Sequence, residues 1–131
     1  MKITADTNVL IRAVLEDDPK QSAIARSVLA EAEAILLPLP VLCEFAWVLR
    51  QGRHLTPGEV AEEIRVLMQA STVVADRLAV EAGLAVADAG GDFADGVIAH
   101  EGRSMGSETF VSFDKKAVRL LSDAGLSTRL L

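Results

Sequence analysis

A chain of 131 residues, 50% of them hydrophobic, is long enough for one domain with a real core and too short for two. With four Phe, one Trp and no Tyr, that core must come mainly from Ala, Val, Leu and Ile, which suits a layered α/β domain. The net charge of −6 argues against a broad basic platform for nucleic acid, and the single cysteine excludes an intrachain disulfide.

Taken in chain order, Lys2 to Asp6 reads as a strand, and Thr7-Asn8 as a turn or cap before a helix from Val9 to Leu15. Asp17-Asp18-Pro19 breaks that helix, and the Ala-, Leu- and Glu-rich stretch Gln21 to Ala34 predicts a second. Ile35 to Leu37 reads as a short buried strand closed by Pro38. Pro40 suits the first turn of a helix from Val41 to Gln51, which Gly52 ends. Cys43 lies in this apolar run and is expected to be a small buried side chain. Thr56 and Glu59 have capping-box spacing for a helix to about Gln69. Thr72 to Val74 suggests a strand, Asp76 to Asp88 a helix stopped by Gly90-Gly91, and Asp92 the cap of a helix through about His100. A loop over Gly102 to Gly106, a strand over Thr109 to Phe113, a helix over Lys115 to Asp123 with Gly125 as its stop, and an edge strand within Leu126 to Leu131 complete the chain. Short apolar strands alternating with helices predict one domain over residues 1–131. It should be a three-layer α/β/α sandwich around a mainly parallel sheet. Nothing resembles a secretory leader, and no apolar run reaches the ~18 residues of a membrane span, so the expected location is cytoplasmic.

Most acidic residues fall on solvated helix faces, but four do not. Asp6 and Asp114 end strands, where open parallel sheets bind ligands. Glu44 sits in the apolar helix VLCEFAWVL, where a carboxylate is costly to bury unless paired or bound to a metal. Asp95 lies three residues after Asp92, so the two share a helix face. Each has a plainer reading. Asp6, Asp92 and Asp114 could be helix caps, Asp95 a first-turn acid facing the helix dipole, and Glu44 a helix-edge residue reaching water. The four together fit a hard divalent cation, Mg²⁺ or Mn²⁺, held by oxygen ligands. If they form one such site, the rest of the chain carries only −2. Zinc is disfavoured because only Cys43, His54 and His100 offer soft ligands, without zinc spacing. The same shortage disfavours Cys-His and Ser-His-Asp chemistry, and no phosphate-binding glycine loop is present.

With these residues in view, the chain resembles the PIN-domain family, and most closely the VapC-type toxins of bacterial toxin–antitoxin pairs. ITADTNVLIR resembles the family's opening strand and Asp-Thr-Asn turn, and PVLCEFAWVL the segment with its glutamate. DFADGVIA resembles the third motif and FVSFDKKAVRL the fourth, in the same order and spacing over nearly the whole chain. The resemblance puts Asp6, Glu44, Asp95 and Asp114 in the acidic quartet that is both catalytic and metal-binding, with Asp6 and Asp95 as direct ligands. It puts Asp92 on a less constant acidic position and Thr7, Asn8 and Ser112 on supporting positions. Gly96 stands where Ala is usual, and Ser112 where Thr is usual; neither change removes a ligand. Arg12, Lys115 and Lys116 are candidates to hold RNA phosphates.

The resemblance implies an Mg²⁺- or Mn²⁺-dependent endoribonuclease acting on structured RNA, with a cognate antitoxin and a second copy of the chain as partners. A metal there would activate water and offset charge on the scissile phosphate. At least one crowded carboxylate is expected to have a raised pKa. The apolar segment Ile35 to Leu49 and the second helix suggest surface for a homodimer. Two alternatives remain at this point. A haloacid-dehalogenase-like phosphatase would need a second Asp where Asn8 stands, and a lysine between its first and last motifs. A non-catalytic PIN-like protein-binding module would fit the acidic charge. A phosphate-accepting receiver domain fails because the middle strand ends in Pro38.

Overall fold

The structure is a computed structural model describing residues 1–131. Strand β1 (Lys2–Thr4) runs into helix α1 (Thr7–Leu15), whose N-cap is Asp6. Glu16 leaves α1 in the left-handed region at φ 52°, and Asp18 then caps α2 (Pro19–Glu31), with Pro19 in its first turn. Ala34 belongs to strand β2 (Ala34–Leu36), not to α2 as its helix propensity suggested. The parallel ladder between Ile3 and Ile35, and the bond from Glu33 N to Met1 O, outweigh that propensity.

Pro38 precedes α3 (Leu39–Trp47), which loosens into a π-helical turn (Val48–Gly52) instead of continuing as an α-helix to Gln51. The complete capping box of Thr56 and Glu59 starts α4 (Pro57–Gln69), as its spacing predicted. Strand β3 (Val73–Val74) and α5 (Arg77–Asp88), capped by Asp76, follow. Helix α6 (Phe93–Ser104) continues four residues beyond the expected end at His100. Gly106, at φ 107°, makes the turn that the whole stretch from Gly102 was expected to make. Strand β4 (Phe110–Ser112), α7 (Lys115–Asp123) and β5 (Thr128–Leu130) close the chain.

Every strand pairing is parallel, as expected, and the three pairings form two sheets. One has the order β1-β2-β3; the other pairs β4 with β5 across α7. The architecture is α/β/α. The main core contains Leu10, Leu37, Leu42, Phe45, Leu49, Ile64, Val80, Phe93 and Val97. Burial of each such side chain contributes about 1.5–3 kcal/mol. A smaller cluster of Val86, Ala99 and Leu121 underlies the second sheet. Helices α5 and α6 supply residues to both clusters and so join the two sheets.

This α5–α6 contact explains Gly96. A Cβ there would stand 2.3 Å from Ala82 O and 2.7 Å from Gly83 Cα, backbone atoms that cannot move aside independently. Gly96→Ala is therefore expected to destabilise the protein by about 1–3 kcal/mol through forced separation of the helices. A thermal melt checks this, and an unchanged melting temperature would show that the helices part freely.

The expectation for Ile35 to Leu49 is corrected in part. Leu37, Leu42, Phe45, Ala46 and Leu49 are spent in the core, so this segment offers little apolar surface beyond Leu36 and Trp47. On α2, Ile24 and Val28 do remain exposed. No helix is long and apolar enough to cross a membrane.

Candidate active site

The carboxyl ends of β1 and β4 place Asp6 and Asp114 just beyond their strands, and both begin helices. Asp6 Oδ1 accepts from Thr7 N at 2.8 Å. Asp114 Oδ1 accepts from Lys116 N at 3.0 Å and Ala117 N at 3.1 Å. The Ser112 hydroxyl accepts from Asp114 N at 2.9 Å, which orients the start of α7. Asp92 Oδ1 accepts from Ala94 N at 3.1 Å at the head of α6. The capping readings of these three acids are thus realised in the structure. They do not exclude a second role, because each cap uses Oδ1 alone and Oδ2 accepts no hydrogen bond within the protein.

An open cleft of about 180 Å³ collects Asp92, Asp95 and Asp114. Gly90, Gly91, Ala117 and Leu120 form other parts of its wall, and Trp47, Arg50, Gln51 and Lys116 complete it. Asp95 is half-buried in the first turn of α6. Burial, then the charges of Asp92 and Asp114, push its pKa up from 3.8 to about 6. The α6 dipole would favour the ionised form at this position by about 0.3–1 kcal/mol, and burial with two like charges outweighs it. The raised carboxyl expected from crowding is present, but burial is its larger cause. Asp6 and Glu44 take no part in the shift.

The burial argument for Glu44 is corrected: its side chain is exposed, because α3 turns Leu42, Phe45 and Ala46 inward and leaves the glutamate outside. It lies one turn before Trp47, on a neighbouring part of the helix that walls the cleft. Neither Asp6 nor Glu44 lines the cleft itself. Of the supporting positions, Thr7 is 2% exposed and packs at the head of α1, while Asn8 lines a groove between α1 and α2.

The candidate phosphate ligands divide similarly. Lys116 lines the cleft; Lys115, exposed beside it, does not. Arg12 lines the α1–α2 groove and pairs with Asp17 at 2.8 Å. Asp17 also meets Arg53, and the two guanidinium groups hold its carboxyl below the usual range. Cys43 is half-buried, and burial followed by the charges of Asp92 and Glu101 pushes its thiol up to about 11, which keeps it unreactive.

Sequence reasoning missed Trp47, Arg50 and Gln51. The π-helical turn carries Arg50 and Gln51 to the cleft, and Arg50 Nη1 donates to Leu55 O at 2.7 Å. The one available signal was that Trp47 is the sole tryptophan, in a helix otherwise rich in core residues.

The cleft fits a hard cation chemically, since its ionisable donors are carboxylates and it holds neither imidazole nor thiol. No three Asp, Glu, His or Cys side chains stand close enough to hold one ion unaided. A cation here would have to complete its shell with water and substrate phosphate oxygens.

A family model described as PIN domain matches residues 3–121, which span every element from β1 into α7. No curated protein matches the chain.

Proposed function

Since the chain belongs to the PIN-domain family, we propose that it is an Mg²⁺- or Mn²⁺-dependent endoribonuclease of the VapC type, the toxin of a toxin–antitoxin pair. PIN domains are in general metal-dependent nucleases, so hydrolysis of a nucleic-acid phosphodiester is the coarse activity, and a phosphatase reading is set aside. The observation that carries the finer reading is the half-buried Asp95 beside Asp92 and Asp114, in a cleft that also presents Lys116 and Arg50.

When bound, a divalent cation supplies an activated water and offsets charge on the scissile phosphate. Asp95 with Asp92 or Asp114 would hold it from the cleft, with water and substrate phosphate oxygens completing its shell, while Asp6 and Glu44 do not line the cleft and their part as ligands rests on the family resemblance. The Ser112–Asp114 bond and the three caps keep the acids oriented while their second oxygens stay available. The Asp95 carboxyl, pushed up to about 6 by burial and its acidic neighbours when no cation is present, would be ionised when it holds one. Lys116 and Arg50 offer an ammonium and a guanidinium to flanking phosphate oxygens.

The partners in this reading are a second copy of the chain and an antitoxin protein. The exposed Ile24 and Val28, beside the groove with Val9 and Arg12, support such contacts. The test uses one purified preparation. Structured RNA should be cleaved internally with Mg²⁺ or Mn²⁺, and not with a chelator, while DNA of the same sequence survives. Light scattering should return the mass of two chains, and a co-expressed upstream protein should block cleavage. Absence of metal-dependent cleavage would favour a non-catalytic binding module; a one-chain mass at micromolar concentration would remove the dimer.

A further inference from the structure

We propose that Trp47 is a stacking platform for a nucleobase of single-stranded RNA, seated beside the cleft acids, with Arg50 and Lys116 holding the adjoining phosphates. This rests on the nuclease reading and adds the element that gives substrate affinity. Trp47 is 62% exposed, although it is the chain's only tryptophan and lies on a helix whose neighbours Phe45, Ala46 and Leu49 are buried. Tryptophan is normally well buried, so an indole left in water beside charged groups marks a contact surface. Its position selects the kind of contact. Trp47 walls the same cleft as Asp92, Asp95 and Asp114, and Arg50 and Lys116 line that cleft too.

The charge balance gives a second argument. The chain carries −6, and the cleft presents only two cations among three carboxylates. Phosphate electrostatics alone would hold RNA weakly, with a salt slope of about −1.4 for two neutralised phosphates on a single strand. Stacking on an indole supplies affinity that does not depend on net charge and accepts any base with a π-face. The π-helical turn immediately after Trp47 brings Arg50 into the cleft, and its bond to Leu55 O anchors the guanidinium. Such single-turn π segments are frequent at functional sites.

Because Trp47 is the sole tryptophan, intrinsic fluorescence reads this site directly. The probes are a ten-nucleotide single-stranded RNA, an abasic ribose-phosphate oligomer of equal charge, and inorganic phosphate, each titrated with chelator present so that nothing is cleaved. The RNA should quench Trp47 emission, and the other two should not. Trp47→Ala should weaken RNA binding by about 5- to 150-fold, with Trp47→Phe between it and wild type. In metal, KM should rise by a similar factor while kcat is kept. Circular dichroism on both variants verifies the fold, which an exposed indole does not support. Unchanged fluorescence with RNA, equal quenching by the abasic oligomer, or wild-type RNA affinity in Trp47→Ala would each overturn the proposal. Its failure is separable from that of the nuclease reading. Quenching without cleavage in Mg²⁺ defeats the nuclease and keeps the platform, whereas cleavage with an unchanged KM in Trp47→Ala does the reverse.

Discussion

Asp95→Asn and Asp6→Asn are each expected to lower metal-dependent RNA cleavage by on the order of 10³-fold while the fold persists. A ligand's negative charge contributes several kcal/mol to holding the cation and to stabilising the transition state. Replacement by the isosteric amide removes that charge and little else. For Asp6 the fold is protected because asparagine caps a helix as well as aspartate does, so the bond from Thr7 N survives. For Asp95, the amide fits the same half-buried space beside Asp92 and Asp114 and no longer repels them. Cleavage of a labelled RNA in Mg²⁺ and in Mn²⁺, with circular dichroism on each variant, gives the answer. Loss in Asp95→Asn with wild-type activity in Asp6→Asn would confine the site to the acids lining the cleft. Near-wild-type activity in Asp95→Asn would remove the metal assignment altogether.

Without metal, Asp95→Asn should melt above the wild-type protein at pH 8, and the two should converge as the pH falls below about 4. The sign follows from the direction of the shift. Folding raises the Asp95 pKa from 3.8 to about 6, so between those values the folded protein keeps a proton that the unfolded chain has released. The favourable linkage is full below about pH 4 and decays as pH rises to 6. Above pH 6 the folded state carries the whole cost of an ionised, half-buried carboxylate beside two others. A shift of this size corresponds to roughly 3 kcal/mol for a fully enclosed group, and solvent screening of a half-exposed one reduces it to about 1–2 kcal/mol. The expected gain is then ~3–8 °C.

Asp17 and Glu59, whose pKa values are lowered, act in the opposite sense. Their stabilisation is present above the ordinary carboxylate range and is lost as pH falls through the folded values. The difference between wild type and variant isolates Asp95 from them. Millimolar Mg²⁺ at pH 8 should raise the wild-type melting temperature and raise that of Asp95→Asn less, because the ion binds only the folded site. A variant that melts lower than wild type at pH 8 with a full metal response would make Asp95 a helix-dipole acid and nothing more.

Local signals in the chain were sufficient for most elements. Asp6, Asp18, Asp76, Asp92 and Asp114 cap helices, Thr56 with Glu59 forms a capping box, and Gly106 and Gly125 turn at positive φ. These interactions span only a few residues, so spacing in the sequence is spacing in space. The motif order over residues 3–121 likewise announced the PIN domain. Non-local contacts decided the rest. Ala34 became a strand residue because β1 offered it a ladder, and Gly96 is required because α5 crosses α6 at backbone contact. Glu44 is exposed because the face of α3 that turns inward was set by packing against the core, not by the apolar run around it. Arg12 was drawn to Asp17, while the π-helical turn delivered Arg50 to the cleft that Trp47 walls. A side chain's direction depends on which face its helix buries and on how tightly that helix is wound, and both are settled by distant parts of the chain closing around a common core.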